Sequence, residues 1–230
     1  MRLLQAIFQD VAYQFKYGFY LLYGFFSVIY IGGLLLCPVE YKKTVASLII
    51  LSDPAMLGSF FIGGIWLLEK GEGLHGYRVI TPLRNLEYIV AKAGSLALIA
   101  VSSVLLITAF GLKYTVNYWS LIGNVFFGSL IFTTAALIIA TYARSVNHYL
   151  LLIAPLEVIV TLPALLAICG LNFPLLELLP GMAVWRLVNN DLSQSRNNPS
   201  LYLLLAFWLI LIMLLGNKRL AMVSDGQQEQ

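Results

Sequence analysis

Two carboxylates stand inside long apolar runs, where ionised groups are expensive. Asp53 lies in Ser52-Asp53-Pro54-Ala55 and Glu157 in Ala154-Pro155-Leu156-Glu157-Val158. A charge held within a bilayer is costly and usually marks a substrate or ion route. Asp followed by Pro is also a helix-start signal, with Asp as N-cap and Pro at the first helical position. Asp53 therefore reads either as a polar point on a route or gate, or as the cap of a restarted helix. A helix restarted there would cover only about 22 Å from Pro54 to Leu68, leaving residues 45–52 as a separate dipping piece. Glu157 sits between Pro155 and Pro163, which free backbone carbonyls. It reads as an inert protonated or paired group, or as part of a route. A proton relay would need a chain of titratable groups, and two isolated carboxylates make a poor one.

A third constellation is the polar island from Glu69 to Lys92, set between apolar runs. It holds seven of the chain's twenty-five Asp, Glu, Lys and Arg residues: Glu69, Lys70, Glu72, Arg78, Arg84, Glu87 and Lys92. Thr81-Pro82 reads as N-cap and first position of a helix running into the next apolar segment, with Glu87 and Lys92 on its polar side. Leu74, Tyr77, Arg78 and Ile80 fit a short helix between Gly73 and that cap. At ~24 residues the island is long for a slack connection. Its alternatives are an ordinary solvated loop and a surface on which a soluble partner docks.

Enzymatic signatures are missing. No G-x-x-x-x-G-K-[ST] phosphate loop, H-E-x-x-H, Cys/His cluster or G-x-S-x-G is present, so no catalytic residue, metal site or bound cofactor is expected. His75 and His148 fall in polar connections and read as solvated or capping groups. Cys37 and Cys169 end apolar runs and read as two unpaired thiols.

The elements that position these groups follow from composition. The chain is 60% hydrophobic and 11% charged, with a mean hydropathy of +0.85. A soluble domain carries roughly 25% charged residues, so the chain is a multi-pass membrane protein. A net charge of +3 without a Lys/Arg cluster argues against nucleic-acid binding. Six stretches are long enough for a core of about 30 Å: residues 18–37, 45–68, 92–111, 120–142, 149–169 and 199–216. Tyr17, Tyr20, Tyr23 and Tyr30, with Tyr114, Tyr118 and Trp119, suit an aromatic belt. Residues 2–16 form a short amphipathic interfacial helix, with Leu3, Leu4, Ile7, Phe8, Val11 and Phe15 on one side. Gln14 is an exception on that wheel and Asp10 lies at its border. Residues 170–198 are too apolar for a free loop, and Pro174, Pro180 and Gly181 interrupt them too often for a span. They read as re-entrant or interfacial helices on the outer face, with Asn189 to Pro199 as a hydrophilic turn. Ser59-x-x-x-Gly63 and Ala136/Ala140 read as close helix-packing faces.

Counting Lys and Arg on alternate sides gives nine (Arg2, Lys16, Lys70, Arg78, Arg84, Lys92, Arg144, Lys218, Arg219) against five (Lys42, Lys43, Lys113, Arg186, Arg196). By the positive-inside rule this places both termini, the 69–91 loop and the 217–230 tail in the cytoplasm. The fold class is all-α integral membrane in a single domain: an N-terminal amphipathic helix, six transmembrane helices and an outer re-entrant segment before the last. No internal repeat links residues 1–115 with 116–230, which weakens an ion-coupled carrier of inverted-repeat type.

Glu69-Lys-Gly-Glu-Gly73, Val79-Ile-Thr-Pro-Leu83, Glu87-Tyr88 and Ala91-Lys92 together resemble the signature region of ABC-2 type transporter permeases. Asp53-Pro54, Gly63-Gly-Ile-Trp-Leu-Leu-Glu69 and Phe15-Lys-Tyr-Gly-Phe-Tyr20 look closest to the branch of fluoroquinolone export permeases. The layout agrees along the whole chain, while the specific motifs lie in residues 13–92. One departure is Leu74-His75, where the family more often has Thr followed by a hydrophobic residue.

The resemblance implies a half-transporter in a prokaryotic cytoplasmic membrane, paired with a second copy or a homologous permease. Two separate ABC ATPase subunits would carry ATP and Mg, with residues 2–16 as an elbow helix. It also implies coupling to the ATPase through Glu69, Lys70, Glu72, Gly73, Tyr77, Arg78, Thr81 and Pro82, with Asp53 and Glu157 at a pathway or gate. The function implied is ATP-driven export of a hydrophobic or amphiphilic molecule such as a drug. The alternative is a non-transporting membrane scaffold that recruits a soluble partner through the same loop.

Overall fold

The computed structural model describes residues 2–73, 84–112, 115–171 and 173–228, the side chains of Arg2 and of residues 224–228 excepted. Within these the chain is helical and has no strand. In chain order the helices are α1 (Arg2–Lys16), α2 (Phe19–Leu36), α3 (Val39–Ser52), α4 (Leu57–Gly71), α5 (Asn85–Gly111), α6 (Tyr118–Ala140), α7 (Val146–Ile168), α8 (Pro180–Ser193) and α9 (Pro199–Gln228). A 3-10 turn, Pro174–Leu178, precedes α8. Six segments are long and apolar enough to cross a membrane: α2, α3 with α4, α5, α6, α7, and α9 as far as Val223.

The spans expected from the sequence are all present, with changed ends. Helix α5 begins at Asn85, not Lys92, and α9 continues through the expected tail to Gln228. The second span is two helices joined at residues 53–56, as the Asp-Pro signal implied, but the cap assignment needs correcting. Asp53 is the C-cap of α3, its N–H bonded to Ile49 O at 3.1 Å, and α4 starts at Leu57 with Met56 as its N-cap. The Ala55 N–H reaches back to Ile50 O at 2.9 Å, so this bond holds Pro54 in the turn that ends α3. The expected N-cap pair Thr81-Pro82 lies outside the described residues. Arg84 caps α5, its N–H bonded to Glu87 Oε2 at 2.9 Å, which is the glutamate half of a capping box.

Helices α4, α5 and α6 form the centre, and α2, α7 and α9 leave most of their apolar surface exposed. Small residues set the approach distances at the centre, as packing between membrane helices requires. Gly58 faces Thr133 of α6, and Gly63 lies under the Tyr149 ring of α7. The Tyr149 hydroxyl donates to Ser59 O, so the Ser59/Gly63 face packs on α7 through one tyrosine. Ala136 and Ala140 are fully buried in the same cluster.

The 170–198 segment is built as one exposed 3-10 turn and one buried helix, α8. Leu187, Val188 and Leu192 are buried, and Val184 fills the space over Gly128. Trp185 Nε1 donates to Ser47 Oγ of α3 at 3.1 Å, and Trp208 Nε1 of α9 donates to Leu178 O at 2.8 Å. Helix α8 is thus packed on protein, the condition under which non-spanning backbone is tolerated at membrane depth. Two of the belt tyrosines turn inward. Tyr23 packs against Phe61, and Tyr30 lies beside Asp53.

Candidate functional site

Helix periodicity brings three elements to one ionic cluster. On α1, Asp10 and Gln14 are four residues apart and share a face; on α5, Tyr88, Lys92 and Ser95 do the same. The two faces meet. Lys92 Nζ lies 2.6 Å from Asp10 Oδ1 and 2.6 Å from Glu69 Oε1 at the end of α4. The Tyr88 hydroxyl donates to Glu69 Oε2 at 2.7 Å, and Gln14 Nε2 donates to Ser95 Oγ at 2.8 Å. Trp66 closes the apolar side, edge-on to Tyr88 with ring centroids 6.4 Å apart.

The three charged side chains keep only 13–17% of their surface exposed. Burial pushes the Asp10 carboxyl above the usual carboxylate range, while the Lys92 ammonium pulls it back. Desolvation of this size means that the cluster costs nearly what it gains in attraction, so such groups serve to fix one arrangement more than to add net stability. The arrangement fixed here joins α1 to both ends of the segment between α4 and α5.

The expected coupling residues divide into three groups. Glu69 is in the cluster. Lys70, Glu72 and Gly73 are exposed, and Gly73 turns the chain out of α4 with φ of 71°, a conformation that strongly favours glycine. Tyr77, Arg78, Thr81 and Pro82 lie outside the described residues. Asp10 and Gln14 are site residues that the sequence pattern does not single out. Their signal is present, since Gln14 breaks the apolar face of α1 and Asp10 stands at its border, but only the partner helix shows what they meet.

Asp53 and Glu157 are brought to the helix break from opposite sides. Tyr30 of α2 lies beside the Asp53 carboxyl, and Ser59, whose hydroxyl donates to Met56 O, lies beside Glu157 of α7. Asp53 Oδ2 and Glu157 Oε1 are each buried without a hydrogen-bond partner among the described residues. Ten residues of helix separate Ser59 from Glu69, about 15 Å, so the ionic cluster and these carboxyls are separate sites. No group of three His, Cys, Asp or Glu suited to a metal occurs among the described residues. Cys37 and Cys169 are both free.

A second polar cluster closes the opposite end of the bundle. Asp191 of α8 is 1% exposed. Asn124 Nδ2 donates to its Oδ2 at 2.6 Å, and Asn197 Nδ2 donates to its Oδ1 at 2.8 Å. Burial raises this carboxyl above its ordinary range, and the bonds from Ser120, Asn124 and Asn197 lower it. The expected hydrophilic turn at Asn189 to Pro199 therefore begins inside α8, and its aspartate faces the protein interior.

No family model matches the chain, and no solved structure does. Among curated proteins it is similar to the fluoroquinolones export permease protein of Mycobacterium tuberculosis, in the strains CDC 1551 / Oshkosh and ATCC 25618 / H37Rv. In both cases the identity is 28% over 165 residues, covering 70% of this chain and 69% of the relative. The similarity agrees with the branch that the motifs of residues 13–92 resemble. Together with six membrane-crossing helices, this distant relationship supports a transporter permease subunit.

Proposed function

We propose that this chain is the membrane half of an ATP-driven ABC-2 exporter. Two permease chains work with two separate ABC ATPase subunits, and ATP and Mg are held by the ATPases. The cargo is a hydrophobic or amphiphilic molecule of drug-like character. Both termini and the 72–84 connection face the cytoplasm of a prokaryotic cell. The observation that carries the reading is the Asp10–Lys92–Glu69 cluster, which makes α1 and the two loop ends one mechanical unit. A force applied to the loop by an ATPase is thereby passed to α4 and α5 together, and α4 leads to the break at residues 53–56.

The test is co-expression with a candidate ABC ATPase subunit, followed by paired measurements of ATP hydrolysis and export in vesicles. Replacing Glu72 or Arg78 with alanine leaves the protein inserted and ATP hydrolysed, but lowers the cargo moved per ATP. Export at the wild-type ratio by both variants would remove the coupling assignment.

The two buried carboxyls give a second expected result. Glu157→Gln keeps the side-chain volume and the fold, yet slows export of a cationic drug more than of a neutral one. Equal slowing of both would make Glu157 a packing residue. Asp53→Asn, measured in the same assay, distinguishes a route on the α2 side from one on the α7 side.

A further inference from the structure

At the end of the bundle opposite Lys92, a cavity of about 240 Å³ lies between α6 and α9. Phe127, Leu205, Ala206 and Leu209 form its apolar walls, and Asn124 and Tyr202 supply its polar end. Asn124 is 3% exposed. Both hydrogens of its amide are used, one on Asp191 Oδ2 at 2.6 Å and one on Ser120 Oγ at 3.2 Å. This fixes which amide atom is the oxygen. Among the described residues no donor is found for that oxygen, and it is not one of the fully buried partnerless atoms, so the acceptor keeps a little open surface where Asn124 lines the cavity. Such an acceptor costs free energy until a donor fills it. Behind it Asp191 has no cationic partner among the described residues, and its carboxylate polarises the Asn124 amide toward a positive donor.

Size and depth narrow the occupant. Pockets that enclose a whole drug-sized ligand run to roughly 300–1,000 Å³, so this one takes part of a longer molecule, such as one chain. Asn124 lies about 9 Å along α6 from its start at Tyr118, in the headgroup-side third of that helix. An apolar slot with an acceptor at its membrane-surface end matches an amphiphile whose headgroup carries an N–H donor and whose acyl chain runs down the slot.

We propose that the α6/α9 cavity is a lipid site for a primary-ammonium phospholipid of the leaflet opposite the Lys92 cluster, with Asn124 Oδ1 accepting from the headgroup. The site does not depend on ATP-driven export being correct.

The experiment uses the full-length protein in nanodiscs of phosphatidylethanolamine with phosphatidylglycerol, or of phosphatidylcholine with phosphatidylglycerol. Lipid retained after extraction is counted by native mass spectrometry. One hydrogen bond to the ammonium predicts retention of phosphatidylethanolamine over phosphatidylcholine by about three- to tenfold. Ala206→Phe and Leu209→Trp fill the cavity away from the Asp191 amides, and each abolishes the preference without lowering thermal stability. Equal retention of the two lipids by the wild type overturns the proposal, as does unchanged preference in both filled variants. Binding of an amine-bearing drug at this site in the absence of any lipid preference also overturns it, in favour of a cargo site.

Discussion

Lys92→Met lowers the stability of the purified full-length protein by about 3–5 kcal/mol, the usual cost of removing one member of a buried ionic group. The methionine fills the volume but removes the ammonium that Asp10 and Glu69, both under 20% exposed, share. Tyr88→Phe removes one hydrogen bond to Glu69 and costs only about 1 kcal/mol. The triple variant Asp10→Asn, Glu69→Gln, Lys92→Met should regain most of the loss, because it removes the two buried carboxylates together with the cation they share. Thermal unfolding followed by size-exclusion chromatography in one detergent checks all three. If the triple variant is less stable than Lys92→Met alone, the cluster is a net stabiliser and its role in fixing one arrangement is wrong. With ATPase present, Lys92→Met also lowers export per ATP, since α1 and the loop ends no longer move as one.

The second large effect falls at Gly181, in the first turn of α8. A Cβ there would overlap the carbonyl and Cα of Val160 in α7. These are backbone atoms, which no rotamer change can clear. Gly→Ala inside a helix ordinarily gains up to about 1 kcal/mol, whereas forced overpacking costs about 1–3 kcal/mol or more. With backbone on both sides, the clash wins. Gly181→Ala therefore destabilises the protein and moves α8 off α7. Gly64 is the control. It lies inside α4, and a Cβ added there would meet nothing within 4 Å, so Gly64→Ala is neutral or slightly stabilising. A pair of melting curves with opposite signs at the two glycines confirms the packing of α8, and equal shifts would contradict it.

Much of the architecture was legible because it follows from composition and local chemistry. Apolar runs of about 20 residues must become helices in a bilayer, since each helix satisfies its own backbone. The six spans, the amphipathic α1 and the break near Asp53-Pro54 all came from such rules. The prolines and glycine at 174, 180 and 181 likewise excluded a seventh span.

What the tertiary structure alone decided are the pairings, because periodicity shows which face a residue occupies but not which partner it meets. It set Asp10, Glu69 and Lys92 together across intervals of 59 and 23 residues (69 − 10 and 92 − 69). It moved Asp53 from the start of α4 to the end of α3, because the Ala55-to-Ile50 hydrogen bond closes the turn before a new helix can begin. It also made Asp191 a buried centre where the sequence offered a hydrophilic turn. The sequence determined six helical segments long and apolar enough to cross a membrane; packing decided which polar groups those helices bring together, since each such group is tolerated only where another helix supplies its partner.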